Sequence, residues 1–131
     1  QLATEVYAYY GKQILGGELQ IHAIAKPGVD LAKLRTAIDD ELRRLRDEEV
    51  PLEELRRATW VLEASLFRSL ENPAARAEEI ADWVALLGRA DGLELVLGLW
   101  KGVSTKSLKQ TAQTWLAPTA AVNMDIVPEA K

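Results

Sequence analysis

Residues 19–25 read Leu19-Gln20-Ile21-His22-Ala23-Ile24-Ala25, and Lys26-Pro27-Gly28 follows directly. Leu19, Ile21, Ala23 and Ala25 fall on one side and Gln20 and His22 on the other, the period of two of a strand with one buried face. Proline removes a ladder donor and glycine permits a tight reversal, so the strand stops there. Asp30 then stands where an N-cap belongs, and Leu31, Leu34, Ile38, Leu42 and Leu45 recur behind it at helical spacing. Asp39, Asp40, Arg43, Arg44 and Arg46 take the wet face of that helix. A strand with one apolar face and a helix with one apolar stripe bury each other. The remaining elements have to cover what is left.

Upstream, residues 5–10 alternate Glu, Val, Tyr, Ala, Tyr, Tyr, and the aromatics favour a strand. The seven residues 11–17 hold three glycines and predict a hairpin with a long loop into the second strand. Downstream, the first helix ends near Glu48, and Pro51 suits the first turn of the next one. Leu52, Leu55, Thr59, Leu62, Leu66 and Leu70 form its stripe, widened by Trp60 and Phe67. Asn72-Pro73 restarts the chain as a third helix lined by Ile80, Trp83, Val84 and Leu87, with Gly88 as its stop. Residues 93–100 make a short apolar helix, and Ser104 caps a fifth with Leu108, Ala112, Trp115 and Leu116 inward, ended by Pro118. Val122, Met124 and Ile126 alternate with Asn123 and Asp125 and predict a third strand. The order is β-β-α-α-α-α-α-β, an α+β fold with a layer of helices packed on one face of a sheet.

At 131 residues, 48% hydrophobic and 27% charged, the chain is expected to form a single domain over residues 1–131. A net charge of −4 and a pI near 5.1 argue against nucleic acid and anionic membrane surfaces as partners. No apolar run approaches the roughly 20 residues of a membrane helix. The absence of cysteine excludes disulfides and thiolate zinc sites and leaves the compartment open. The chain begins at Gln1 with a strand already running by Glu5, and three strands are few for five helices. A piece of a longer polypeptide is the expectation.

Chemistry-bearing residues are sparse. His22 is the only histidine, and a lone histidine in a strand is more often structural than catalytic. With no cysteine and no second histidine, a histidine-pair metal site within this chain is impossible. Acids alternate with arginines along helices, as in Glu53-Glu54 before Arg56-Arg57, and read as solvated faces. One histidine and scattered serines give no Ser-His-Asp arrangement, and Gly16-Gly17 is followed by neither a basic residue nor a helix start, so it is no phosphate loop. The four tryptophans, Trp60, Trp83, Trp100 and Trp115, sit on or beside helical stripes, as core or as contacts to a neighbouring domain. From pattern alone there is no visible active site.

The stretches residues 1–9 (QLATEVYAY), residues 17–23 (GELQIHA), residues 26–48 (KPGVDLAKLRTAIDDELRRLRDE) and residues 53–72 (EELRRATWVLEASLFRSLEN) together resemble the C-terminal lobe of insulinase/pitrilysin-type zinc peptidases. The bacterial branch similar to mitochondrial processing peptidase and to the bc1 core subunits matches best. Residues 102–129 resemble that lobe's closing helix and strand. Order and spacing carry the resemblance over nearly all the chain, and no single motif does.

The resemblance implies two homologous α+β lobes closing around a peptide chamber. The N-terminal lobe carries H-x-x-E-H and the zinc, so no cofactor is expected in this chain and zinc is expected in a catalytic lobe or partner subunit. In active members the C-terminal lobe adds an Arg and a Tyr near the scissile bond. Here the Tyr position falls on Thr4 and the Arg position before Gln1, which argues against substrate polarisation by this lobe. The expected role is a non-catalytic lobe, lacking its first strands, that completes the chamber, with the zinc-bearing lobe and a peptide as partners. A bc1 core-like assembly protein with no proteolysis is the alternative, and an unrelated small binding domain a third. No catalytic or metal-binding residue is assigned. The resemblance implies that the helix-free sheet face looks into the chamber, making Tyr7, Tyr9 and His22 the candidate contacts to substrate or to the other lobe. A sheet short of strands also predicts self-association through its open edge.

Overall fold

The structure is a computed structural model of the 131-residue chain, described here for residues 2–13 and 15–127. It is an α+β fold in which two antiparallel strands precede five helices. Strand β1 (Ala3–Gln13) pairs with β2 (Gly16–Ala25), and a register shift lies between Ala3 and Glu5. Then come α1 (Leu31–Asp47), α2 (Leu52–Glu71), α3 (Pro73–Leu87), α4 (Leu93–Lys101), α5 (Thr105–Trp115) and a 3-10 turn, Pro118–Ala120.

The helix boundaries follow from local chemistry. Asp30 Oδ1 accepts from Ala32 N at 3.0 Å and starts α1, whose last turn holds Arg44 and Arg46 against the carbonyl end of the dipole. Asn72 Oδ1 accepts from Ala74 N and Ala75 N, with Pro73 in the first turn of α3, and Gly88 closes that helix in the left-handed region at φ 72°. Ser104 and Ser107 form a reciprocal capping box at the head of α5.

Helix α1 lies against β2, and α5 lies against α1; α2 packs with α3 and α4. The C-terminal end of α1 is tied to α5 by Arg46 Nη1 donating to Leu116 O, Gln113 Nε2 to Arg46 O and Lys109 Nζ to Asp47 O, at 2.8, 3.0 and 2.8 Å. The core is thin. Its buried apolar residues are Ala3, Leu34, Leu66, Trp83 and Ala112, and none is fully enclosed.

Two expectations are corrected. The hairpin has no long loop: the strands stay paired through Gly11–Glu18, Lys12–Gly17 and Gln13–Gly16. The middle of the expected loop, Ile14, lies outside the described residues. Gly17 is needed in the ladder because the Tyr10 ring crosses it, and a Cβ there would sit 2.1 Å from Tyr10 Oη. The predicted third strand is also absent, since residues 121–127 are extended but pair with neither β1 nor β2. Alternation makes a segment competent for a sheet, but a strand exists only against a neighbouring backbone. Here Asp125 is instead paired with Arg35 on α1.

Candidate functional site

The register sets the site. Tyr7 is directly opposite His22 and Tyr9 opposite Gln20, so all four share one face of the hairpin. Val6 and Ile21 are on the other face, lining a groove with Leu34 and Ile38 of α1. The ring-bearing face is therefore turned away from α1.

The three rings stack. Tyr7 and His22 have centroids 4.8 Å apart and planes within 1° of parallel; Tyr9 lies 5.8 Å from His22 and 6.5 Å from Tyr7. Gln20 ties the cluster together. Its Oε1 accepts from the Tyr9 hydroxyl and lies 3.1 Å from His22 Nε2, while its Nε2 donates to Glu18. An amide oxygen only accepts, so the His22 tautomer that completes this bond carries its proton on Nε2. Tyr7 and Tyr9 remain 47% and 45% exposed. The result is a pre-ordered aromatic platform with a polar rim.

His22 Nε2 lies against the Gln20 amide oxygen, and the imidazole stacks on the rings of Tyr7 and Tyr9. Thr4, on the position that the resemblance aligns with a substrate-contacting Tyr, spends its hydroxyl on Ile24 O at 3.1 Å. Among the described residues no group of three or more His, Asp or Glu is placed to hold a metal ion. With one histidine and no cysteine, the chain cannot by itself supply a zinc site built of histidine pairs or thiolates.

The structure brings Tyr7, Tyr9 and His22 together as the period-of-two reading places them. Gln20 and Glu18 were missed, although the first is opposite Tyr9 once the register is known. Trp83 is buried and Trp100 half-buried, whereas Trp60 and Trp115 are 65% and 73% exposed. A second concavity, about 420 Å³, opens between α2, α3 and α4, where Leu62, Leu66, Trp83, Leu99 and Trp100 meet Tyr10 from β1.

Away from these sites, the Arg35 guanidinium is held above its ordinary value by its hydrogen bond and charge pairing with Asp125. The Arg89 hydrogen bond lowers the Asp91 carboxyl to about 2, helped by a backbone hydrogen bond within Asp91 itself. Both are surface features.

No family model and no curated protein matches the chain. Solved structures do. A protease from Helicobacter pylori superposes with a TM-score of 0.76 at 19% identity, over 91% of this chain and 29% of that one. The inactive peptidase domain of a protein assigned as a zinc protease, from Bordetella parapertussis, also superposes at 0.76, with 17% identity, over 98% of this chain and 71% of that one. The fold is zinc-protease-like. At such identities the likeness is one of fold, and the chain spans under a third of the length of the Helicobacter pylori protease.

Proposed function

We propose that the chain is the non-catalytic lobe of an insulinase-type zinc metallopeptidase, completing a peptide chamber against a zinc-bearing lobe. The observation that carries this reading is the Tyr7–His22–Tyr9 stack, half-exposed on the sheet face turned away from α1, in a fold shared with an inactive peptidase domain. Ordered aromatic rings give large contact area at low entropic cost, and their polar tips accept the main-chain groups of an extended peptide. Zinc would be held by the other lobe, since this chain has one histidine and no cysteine. The chain's own contribution is to bind and position the peptide.

The test is the double substitution Tyr7→Thr with Tyr9→Thr in the assembled enzyme. The rings are half in water, so the fold should lose only about 1 kcal/mol, the size of exposed cross-strand pairs. Peptide KM should rise about tenfold with kcat changed little, as when a binding contact shared by ground and transition states is removed. Unchanged KM in a folded variant refutes the contact. An assembly with no peptidase activity under any zinc loading favours the bc1 core-like role instead.

A further inference from the structure

Four side chains on the ring face form one directed set of hydrogen bonds, and Glu18 heads it. Its cross-strand partner Gly11 has no side chain, so Glu18 lies across the ladder there: a Cβ on Gly11 would meet Glu18 Cγ at 3.6 Å and Oε1 at 3.9 Å. Glu18 Oε1 accepts from Gln20 Nε2, while Gln20 Oε1 accepts from the Tyr9 hydroxyl and faces His22 Nε2 at 3.1 Å. A carboxylate only accepts, so it takes the NH2 end of the Gln20 amide and turns the oxygen end toward the two rings. That oxygen claims the Tyr9 proton and fixes the His22 proton on Nε2. Two atoms are then left with lone pairs alone. They are Tyr9 Oη, whose proton is spent, and His22 Nδ1, which has no hydrogen bond among the described residues. A flipped amide would reverse every bond. Gln20 Nε2 would donate to Tyr9 Oη and His22 Nε2, and the face would present an O–H and an Nδ1–H instead.

We propose that Glu18 is a positioning residue of the ring platform: through Gln20 it holds Tyr9 and His22 as acceptors, so the face takes a ligand by its N–H donors, the main-chain amides of an extended peptide. The ligand class rests on the peptide-binding role proposed above. The relay rests on the hairpin alone, since every side chain in it belongs to residues 9–22 and the register brings them together. Glu18 acts at one remove and touches no ligand. With the amide fixed, a donor meets acceptors already in place and no reorganisation is charged against binding. With the amide free to turn, part of the population sets donors against donors.

The test is nitrogen NMR of the imidazole in the 131-residue chain, in alkaline solution where a histidine is neutral. An alanine–serine peptide and its N-methylated counterpart are titrated in to millimolar concentration. His22 should be almost wholly the Nε2–H form, and the plain peptide should shift its Nδ1 resonance with about fivefold tighter binding than the N-methylated one, the size of one neutral hydrogen bond. Glu18→Gln offers Gln20 an amide that can meet either of its ends. It should mix the two tautomers and erase most of the preference, with circular dichroism unchanged. In a Gln20→Met background the same substitution should do neither, because the relay is already cut. A wild-type His22 that carries its proton on Nδ1 overturns the proposal, as does a tautomer indifferent to Glu18→Gln. So does an effect of Glu18→Gln that survives Gln20→Met, or a chain that does not favour the plain peptide. No readout involves zinc or cleavage, so this relay and the peptidase reading fail separately.

Discussion

Replacing Gly92 by alanine tests the close packing of the turn before α4 against Trp83 of α3. Gly92 is buried just before α4, and a Cβ there would lie 2.7 Å from Trp83 Cγ and 2.9 Å from Trp83 Cβ and Cδ2. Ordinary carbon contacts lie about 3.5–4.0 Å apart, so roughly 1 Å has to be found. The indole could swing toward the neighbouring concavity, but its own Cβ is among the crowded atoms, and rotating the side chain leaves that atom in place. Helix α3 or the turn before α4 has to shift. Overpacking of this kind costs about 1–3 kcal/mol. Against it, alanine is compatible with the Gly92 backbone at φ −77°, ψ −10°, and restricting the unfolded chain returns about 0.4–1 kcal/mol. The clash wins, with a net loss of about 1–2 kcal/mol. Urea unfolding followed by circular dichroism and tryptophan fluorescence measures it. Trp83→Leu supplies the double-mutant cycle, in which the cost of Gly92→Ala should shrink by about 1 kcal/mol once the indole is gone. Equal cost in both backgrounds, or a stabilised Gly92→Ala variant, refutes the packing account.

At the C-cap of α3, Gly88→Ala meets no atom within 4 Å and costs only what φ 72° imposes, so unfolding should show a loss of about 1 kcal/mol that Trp83→Leu does not alter. Ser104→Ala removes the capping box of α5 and should lower stability by about 1 kcal/mol in the same assay. The Asp91 carboxyl, held low chiefly by Arg89, contributes stability that is complete above its unfolded value and is lost as the pH falls toward about 2. Carboxyl NMR titration should show Arg89→Gln moving Asp91 back up toward the ordinary carboxylate range.

Local features were legible in the sequence because they are decided within a turn of chain. Asp30, Asn72, Ser104 and Gly88 each cap or close a helix where residue type and spacing place them. The faces of the hairpin were legible for the same reason, since a period of two assigns Tyr7, Tyr9 and His22 to one side without knowledge of the partner strand. What failed depends on a second segment. The glycines at 11, 16 and 17 suggest a loop, yet all three pair in the ladder, and the Tyr10 ring lying across Gly17 accounts for the last of them. Val122, Met124 and Ile126 have the pattern of a strand, but the backbone they would pair with is not supplied by β1 or β2 of the same chain. Trp60 and Trp115 lie on helical stripes, yet no other part of the described chain covers them.

These failures share a cause that bears on function. Periodicity reports which side of an element avoids water, not whether the covering surface belongs to the same chain. Leu34 and Leu66 are buried, but Val61, Phe67 and Trp115 are at least half exposed, and so are the three apolar residues of the closing segment. Exposed apolar surface of that kind has no cover within the described residues. The ring platform differs from it. Its three rings are ordered by stacking and by Gln20, so their contacts are satisfied without a partner, and they can meet a ligand that comes and goes. On the function proposed above, the pre-ordered aromatic face with its polar tips is the side of the hairpin offered to peptide, because its rings need no partner to hold their positions.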